Sequence, residues 1–151
     1  MPTTLTEQLY PFEFLTGDGD NGRNSYDTYQ LLIGTNGLAD STTKNNLPAG
    51  SVISLITSGT YKGQITQFLH ANLGNSDGTQ TPFGILAKAY DASTAAVPNC
   101  LVLVRNATVN DALLTWDSNL TTTSITGEKP TAQRTLDTNR KIVCRTGGIS
   151  G

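Results

Sequence analysis

At 151 residues the chain has the length of one domain with its own core. Its formal net charge of -2 comes from 10 basic and 12 acidic side chains with no run of either sign, which excludes the basic stripe that nucleic acid or an anionic membrane surface requires. Charged residues are only 15% of the total while Thr, Ser, Asn and Gly are abundant, a balance of β-rich chains with many turns.

Residues 1–28 read as an extended N-terminal arm. The opening "MPTTLTEQLYPFEF" has neither the basic nor the apolar region of a signal peptide, and no stretch approaches the roughly 18 apolar residues of a membrane span. The expectation is a chain made and working in soluble form. Tyr10, Phe12 and Phe14 alternate with period 2 beside Leu9, so the rings share one face of an extended segment, and Pro11 keeps that segment out of a central strand. Such a patch wants a surface to lie on, whether its own domain, a sister subunit or another protein. The following "TGDGDNGRNS" is nearly all turn formers.

Residues 29–151 read as a single β-rich domain. "YQLLIG" is a strand candidate before the Asn36-Gly37 turn signal, and "GSVISLIT" is the clearest β-run, followed by the glycine-marked turn "SGTYKGQ". "TQFLHANL" is ambiguous between a strand and one helical turn. "FGILAKAY" and "CLVLVRNATV", joined by "DASTAAVPN", are candidate neighbours in a sheet. Within "TPFGILAKAYDAS", Pro82 holds Thr81 extended, and Phe83, Ile85, Ala87 and Ala89 fall on one face at period 2. Gly84 falls on the other, where a missing side chain lets a second backbone or a second subunit approach closely. Two short helices are expected. In "NDALLTW" Asn110 is a plausible N-cap, and in "PTAQRTLDTN" Pro130 takes a first-turn position with Ala132 and Leu136 stacked four apart. "KIVCR" is the last strand.

Catalytic and metal-binding patterns are weak. The only histidine, His70, has no Gly-x-Ser-x-Gly elbow to serve, and Cys100 and Cys144 sit in apolar strand-like runs that suit buried reduced thiols. One histidine and two isolated cysteines make no zinc cluster. "GDGDNG" has the Asp18, Asp20 spacing of a calcium loop but puts Gly22 at the third ligand position and has no Glu following at the loop's spacing. Of the three glutamates, Glu7 and Glu13 lie in the arm and Glu128 stands near Pro130, so none is placed for glycoside chemistry. The expectation is no enzyme, no metal, no cofactor and no small-molecule substrate.

Three ordered stretches carry a resemblance. "LPAGSVISLITSGTYKG", "SDGTQTPFGILAKAYDAST" and "CLVLVRNATVNDALLTW" resemble, in this order and spacing, the lambda-type head decoration proteins of tailed phages, over roughly residues 45–146. The resemblance implies a mainly β (α+β) domain of the β-tulip type with an extended arm. It also implies a homotrimer on the three-fold and quasi-three-fold sites of an expanded capsid. Its partner there is the major capsid protein, and its role is to reinforce the shell against packaged DNA from the outer surface of the virion. In the family the arm often orders only on the capsid; the patch here matches no family motif, and its own alternation makes Leu9, Tyr10, Phe12 and Phe14 the candidate capsid contacts, while the missing side chain of Gly84 makes it a candidate subunit or close-packing contact. A carbohydrate- or receptor-binding module of a phage tail or spike shares the Thr/Asn-rich β composition and is the alternative. It requires aromatic rings exposed on a rigid sheet.

Overall fold

The computed structural model describes residues 25–34 and 44–145. Nine strands occur among them. They are β1 (Ser25–Leu31), β2 (Asn46–Leu47), β3 (Val52–Leu55), β4 (Ile65–Gln67), β5 (Gly84–Leu86), β6 (Tyr90–Asp91), β7 (Val97–Arg105), β8 (Ala107–Asn110) and β9 (Ile142–Arg145). Among the described residues one α-helix, α1 (Glu128–Arg140), precedes β9.

Five strands close a barrel in the order β1-β4-β3-β5-β7, with β7 returning to β1. The β3–β4 hairpin turns through the glycine-marked "SGTYKG" and pairs Leu55 with Ile65. The two runs expected as neighbours do pair, Ile85 opposite Leu103 and Leu86 opposite Val102. Closure at β1–β4 is parallel and narrow: Leu31 pairs with Ile65, and the Leu32 amide donates to the Ile65 carbonyl at 2.8 Å. By contrast β1 and β7 run antiparallel from Ser25↔Arg105 to Leu31↔Val97 with two register shifts, the bends that a small barrel needs. β1 therefore begins inside the segment that the sequence reads as arm.

Alternation along the walls splits the core in two. Val52, Ile85 and Leu103 pack with Ala107, Val109, Ala132, Leu136 and Ile142 beneath α1, β8 and β9. Their neighbours Ile53, Leu86 and Val102 pack with Leu31, Ile65 and Cys100 in the barrel interior. Both faces of β5 are thus buried, and Phe83 joins Leu86 in the interior cluster rather than Ile85. The period-2 face expected for Phe83 through Ala89 is corrected accordingly: the strand ends at Leu86, a bend follows at residues 87–88, Lys88 and Ala89 are exposed, and Tyr90 starts β6. A continuous apolar run covered on both sides carries no alternation to read.

The expected helix in "NDALLTW" is also corrected, to a single 3-10 turn at Asp111–Leu113. Asn110 does cap it, its side chain accepting the Ala112 amide at 3.1 Å. Leu114 is already extended, however, and Thr115 bridges to Ser51 while its carbonyl accepts the Val52 amide at 3.2 Å. Pairing with the barrel wall outcompetes a second helical turn. The other predicted helix forms and starts earlier, with Pro130 at its third residue, where no intrahelical amide is required. β8 and β9 are parallel, so the chain crosses over through α1 between them. Asn106 and Lys141, both left-handed at φ 62° and 56°, make the corners, and the Asn106 and Ala107 amides donate to the Arg140 and Lys141 carbonyls.

Candidate functional site

Leu9, Tyr10, Phe12 and Phe14 lie outside the described residues. Gly84 lies on β5 against β7: a Cβ there would stand 2.6 Å from the Leu103 carbonyl oxygen and 2.8 Å from Val102 Cγ1. Two strands of the same chain meet at this glycine, at a distance no other residue permits without movement.

The polar side chains nearest to a constellation surround the start of α1. Asp111, 6% exposed, accepts from Trp116 Nε1 at 2.8 Å and Gln133 Nε2 at 2.9 Å, and pairs with Lys129 Nζ at 2.9 Å. This buried carboxylate is fully engaged, as burial of a charge demands. Trp116 meets Phe68 edge to face at 6.4 Å and carries the Lys129 ammonium over its ring at 5.5 Å. The half-buried ring is thus engaged by Phe68 and by the ammonium over it, unlike the open platform that a sugar-binding site uses.

His70 stands on the surface with Nδ1 2.8 Å from Glu128 Oε1, and its amide donates to Asp117 Oδ2 at 2.8 Å. The Glu128 carboxylate also accepts the Thr121 amide at 3.0 Å, while the Glu128 amide donates to the Thr121 hydroxyl at 2.8 Å. The reciprocal pair works as a capping box supplied by a preceding loop. Bonding from the Thr121 amide, with a further contribution from His70, holds the Glu128 carboxyl below the usual glutamate range. Both cysteines are free thiols, and burial pushes Cys100 up to about 11 and Cys144 up to about 12, with the Asp111 charge adding to the second. Thiols held protonated in this way are poor nucleophiles at neutral pH. Among the described residues no three His, Cys, Asp or Glu side chains group as metal ligands, and no helix is long and apolar enough to cross a membrane.

A cleft of about 730 Å³ opens between the 78–83 loop and the C-terminal end of α1. Leu55, Gln80, Pro82, Phe83, Thr138 and Arg140 are among its lining residues. The Arg140 guanidinium carbon lies 4.0 Å from the Phe83 ring centroid, and Tyr29 meets the same ring edge-on at 5.4 Å. Burial lowers the Arg140 pKa, and no carboxylate among the described residues forms an ion pair with it. Sequence reasoning missed this pair because Phe83 and Arg140 are far apart in the chain, and a helix-ending arginine carries no local signal.

These features define a class first: a small closed β-barrel buttressed by one helix and a two-stranded parallel sheet, with its buried carboxylate and cap groups bonded internally. The family follows from comparison. The family model for bacteriophage lambda head decoration protein D matches residues 4–134, and the chain belongs to that family. No curated protein and no solved structure matches. Membership suggests a capsid decoration role and a place on the exterior of a phage head.

Proposed function

We propose that this protein binds the outside of the expanded head of its phage as homotrimers, at the three-fold and quasi-three-fold sites. There it holds neighbouring copies of the major capsid protein together against the pressure of packaged DNA. The observation that carries this reading is the family match over residues 4–134, most of the 151-residue chain. The buttressed barrel corresponds in this reading to the β-tulip that the family resemblance implies. The protein works by binding, not by catalysis, and reaches the virion surface after synthesis in the host cytoplasm.

Attachment runs through the arm, with Leu9, Tyr10, Phe12 and Phe14 as its contacts. An extended segment adds main-chain hydrogen bonds while alternate side chains enter pockets. Three linked arms then turn weak single contacts into tight binding, because the second and third act at high effective concentration. The Lys129 ammonium over the Trp116 ring weighs against the sugar-binding alternative.

Mixing the purified protein with empty expanded capsids of its own phage is expected to give near one-to-one stoichiometry with the shell protein, read by sedimentation and gel densitometry. Shells that sediment without it overturn the proposal.

A further inference from the structure

The barrel has two ends, and the cleft beside α1 opens at the one where β1 begins. Antiparallel pairing of β1 with β7, β7 with β5 and β5 with β3 puts the starts of β1 and β5 at the same end as the finishes of β3 and β7. Leu55 is the last residue of β3 and Phe83 stands just before β5, and both line the cleft. Arg140 is fixed there by its backbone: its carbonyl accepts, at 3.0 Å, the amide of Asn106, next in the chain to Arg105, which pairs with Ser25. The point where the arm joins the domain, at Ser25, is therefore beside this cleft.

The charge at this end is positive and unanswered. Arg140 is half-buried, and Arg105 stands exposed close enough for its charge to add to burial in lowering the Arg140 pKa. Stacking on Phe83 occupies the face of the Arg140 guanidinium and leaves its N–H edge, which makes no hydrogen bond or ion pair among the described residues. Carboxylates around the cleft are engaged locally. Asp77 accepts the Thr79 amide at 3.1 Å and its hydroxyl at 2.6 Å, while Asp27 accepts the Thr28 amide at 2.9 Å and the Tyr29 hydroxyl at 3.5 Å. A stacked guanidinium with its N–H fork open matches the two oxygens of a carboxylate. The cleft of about 730 Å³, walled by apolar Leu55 and Pro82 beside polar Gln80 and Thr138, has room for the peptide segment that carries one.

We propose, on the reading that this protein decorates a phage head, that the cleft is a second attachment point, receiving an aspartate or glutamate side chain of the major capsid protein on the Arg140 guanidinium. An arm anchored on the shell draws the Ser25 end of the barrel toward it, so the cleft meets the shell surface without any turning of the domain. The arm and the cleft then act as two linked contacts of one subunit, each raising the effective concentration of the other.

The test titrates the full-length parent, Arg140→Gln, Arg140→Lys and Lys88→Gln against empty expanded shells. Lys88 is exposed beyond the finish of β5, at the opposite end of the barrel, so its variant removes the same charge away from the cleft. Arg140→Gln is expected to weaken attachment at least about tenfold, Arg140→Lys to weaken it less because an ammonium keeps the charge and loses the fork, and Lys88→Gln to leave it unchanged. Parent-like attachment of Arg140→Gln overturns the proposal, and so does an equal loss in Lys88→Gln, which makes the attraction general. Where Arg140→Gln also lowers the urea midpoint, Arg140→Lys decides, since it keeps a cation beside Phe83: weakened attachment of the folded variant supports the cleft, and parent affinity overturns it. A change in the oligomeric state of free Arg140→Gln, read by sedimentation, makes a second copy the occupant and overturns it too. Shells that leave the parent itself unbound sink the decoration reading, a result distinct from a parent and a variant that bind alike.

Discussion

Gly84 shows how much one missing methyl group decides. Its ideal Cβ position lies 2.6 Å from a β7 carbonyl and 2.8 Å from the Val102 side chain, and both neighbours belong to strands locked into the barrel. Gly84→Ala must therefore separate β5 from β7 or bend both, and overpacking of this kind costs about 1–3 kcal/mol. Urea unfolding of the variant is expected to show a lower midpoint, with the unfolding free energy reduced by that amount. A midpoint within error of the parent means the strands yield freely and the close approach is incidental. The sequence marks this glycine because it interrupts an apolar run, and the strand entry set by Pro82 locates it. It carries no comparable mark for Arg140 on Phe83 or for Asp111 between Trp116, Gln133 and Lys129. Those contacts join positions far apart in the chain, where only the folded topology fixes who meets whom.

At the scale of elements, α1 depends on a cap that comes from outside the helix. Gly127 at the N-cap offers no side chain, and the loop residue Thr121 takes over by exchanging hydrogen bonds with Glu128, backed by His70. The Glu128 carboxyl is depressed below its ordinary value, so the ionised form is what the fold favours. A depressed carboxyl contributes stability above its unfolded pKa, near 4.3 for glutamate, and that contribution is lost as pH falls through the lower folded value. Asp77 and Asp91, lowered by their bonds to Thr79 and Ser93, act in the same direction. Urea midpoints measured from pH 7 to pH 3 are expected to fall below about pH 4.5, and more gently in Glu128→Gln. Equal slopes in the two proteins contradict the assignment. Elements with strong local signals were legible: the β3 and β7 runs, the β3–β4 turn and the helix around Ala132 and Leu136. Splits were not. β7 breaks from β8 at left-handed Asn106, and the run after Asn110 yields to pairing with Ser51, because tertiary partners there outweigh local preference.

Across the whole molecule, stability and the arm's share of attachment are assigned to different parts of the chain. Among the described residues the barrel's pairing starts at Ser25, and the core clusters draw on Leu31 and later residues with the Tyr26 and Tyr29 rings packed against them. In the proposed reading residues 1–16 serve attachment, so deleting them is expected to change the unfolding free energy by no more than about 0.5 kcal/mol, as for changes away from the core. Attachment to expanded shells is expected to drop far more. If each arm contributes about 1.4 kcal/mol, its loss weakens one contact tenfold. In the proposed trimer three such contacts are linked, so the loss compounds to as much as about a thousandfold. Titrating both forms against shells separates the possibilities by size. A tenfold loss indicates that the subunits attach independently, a loss approaching a thousandfold indicates linked attachment, and unchanged attachment removes the arm from the mechanism.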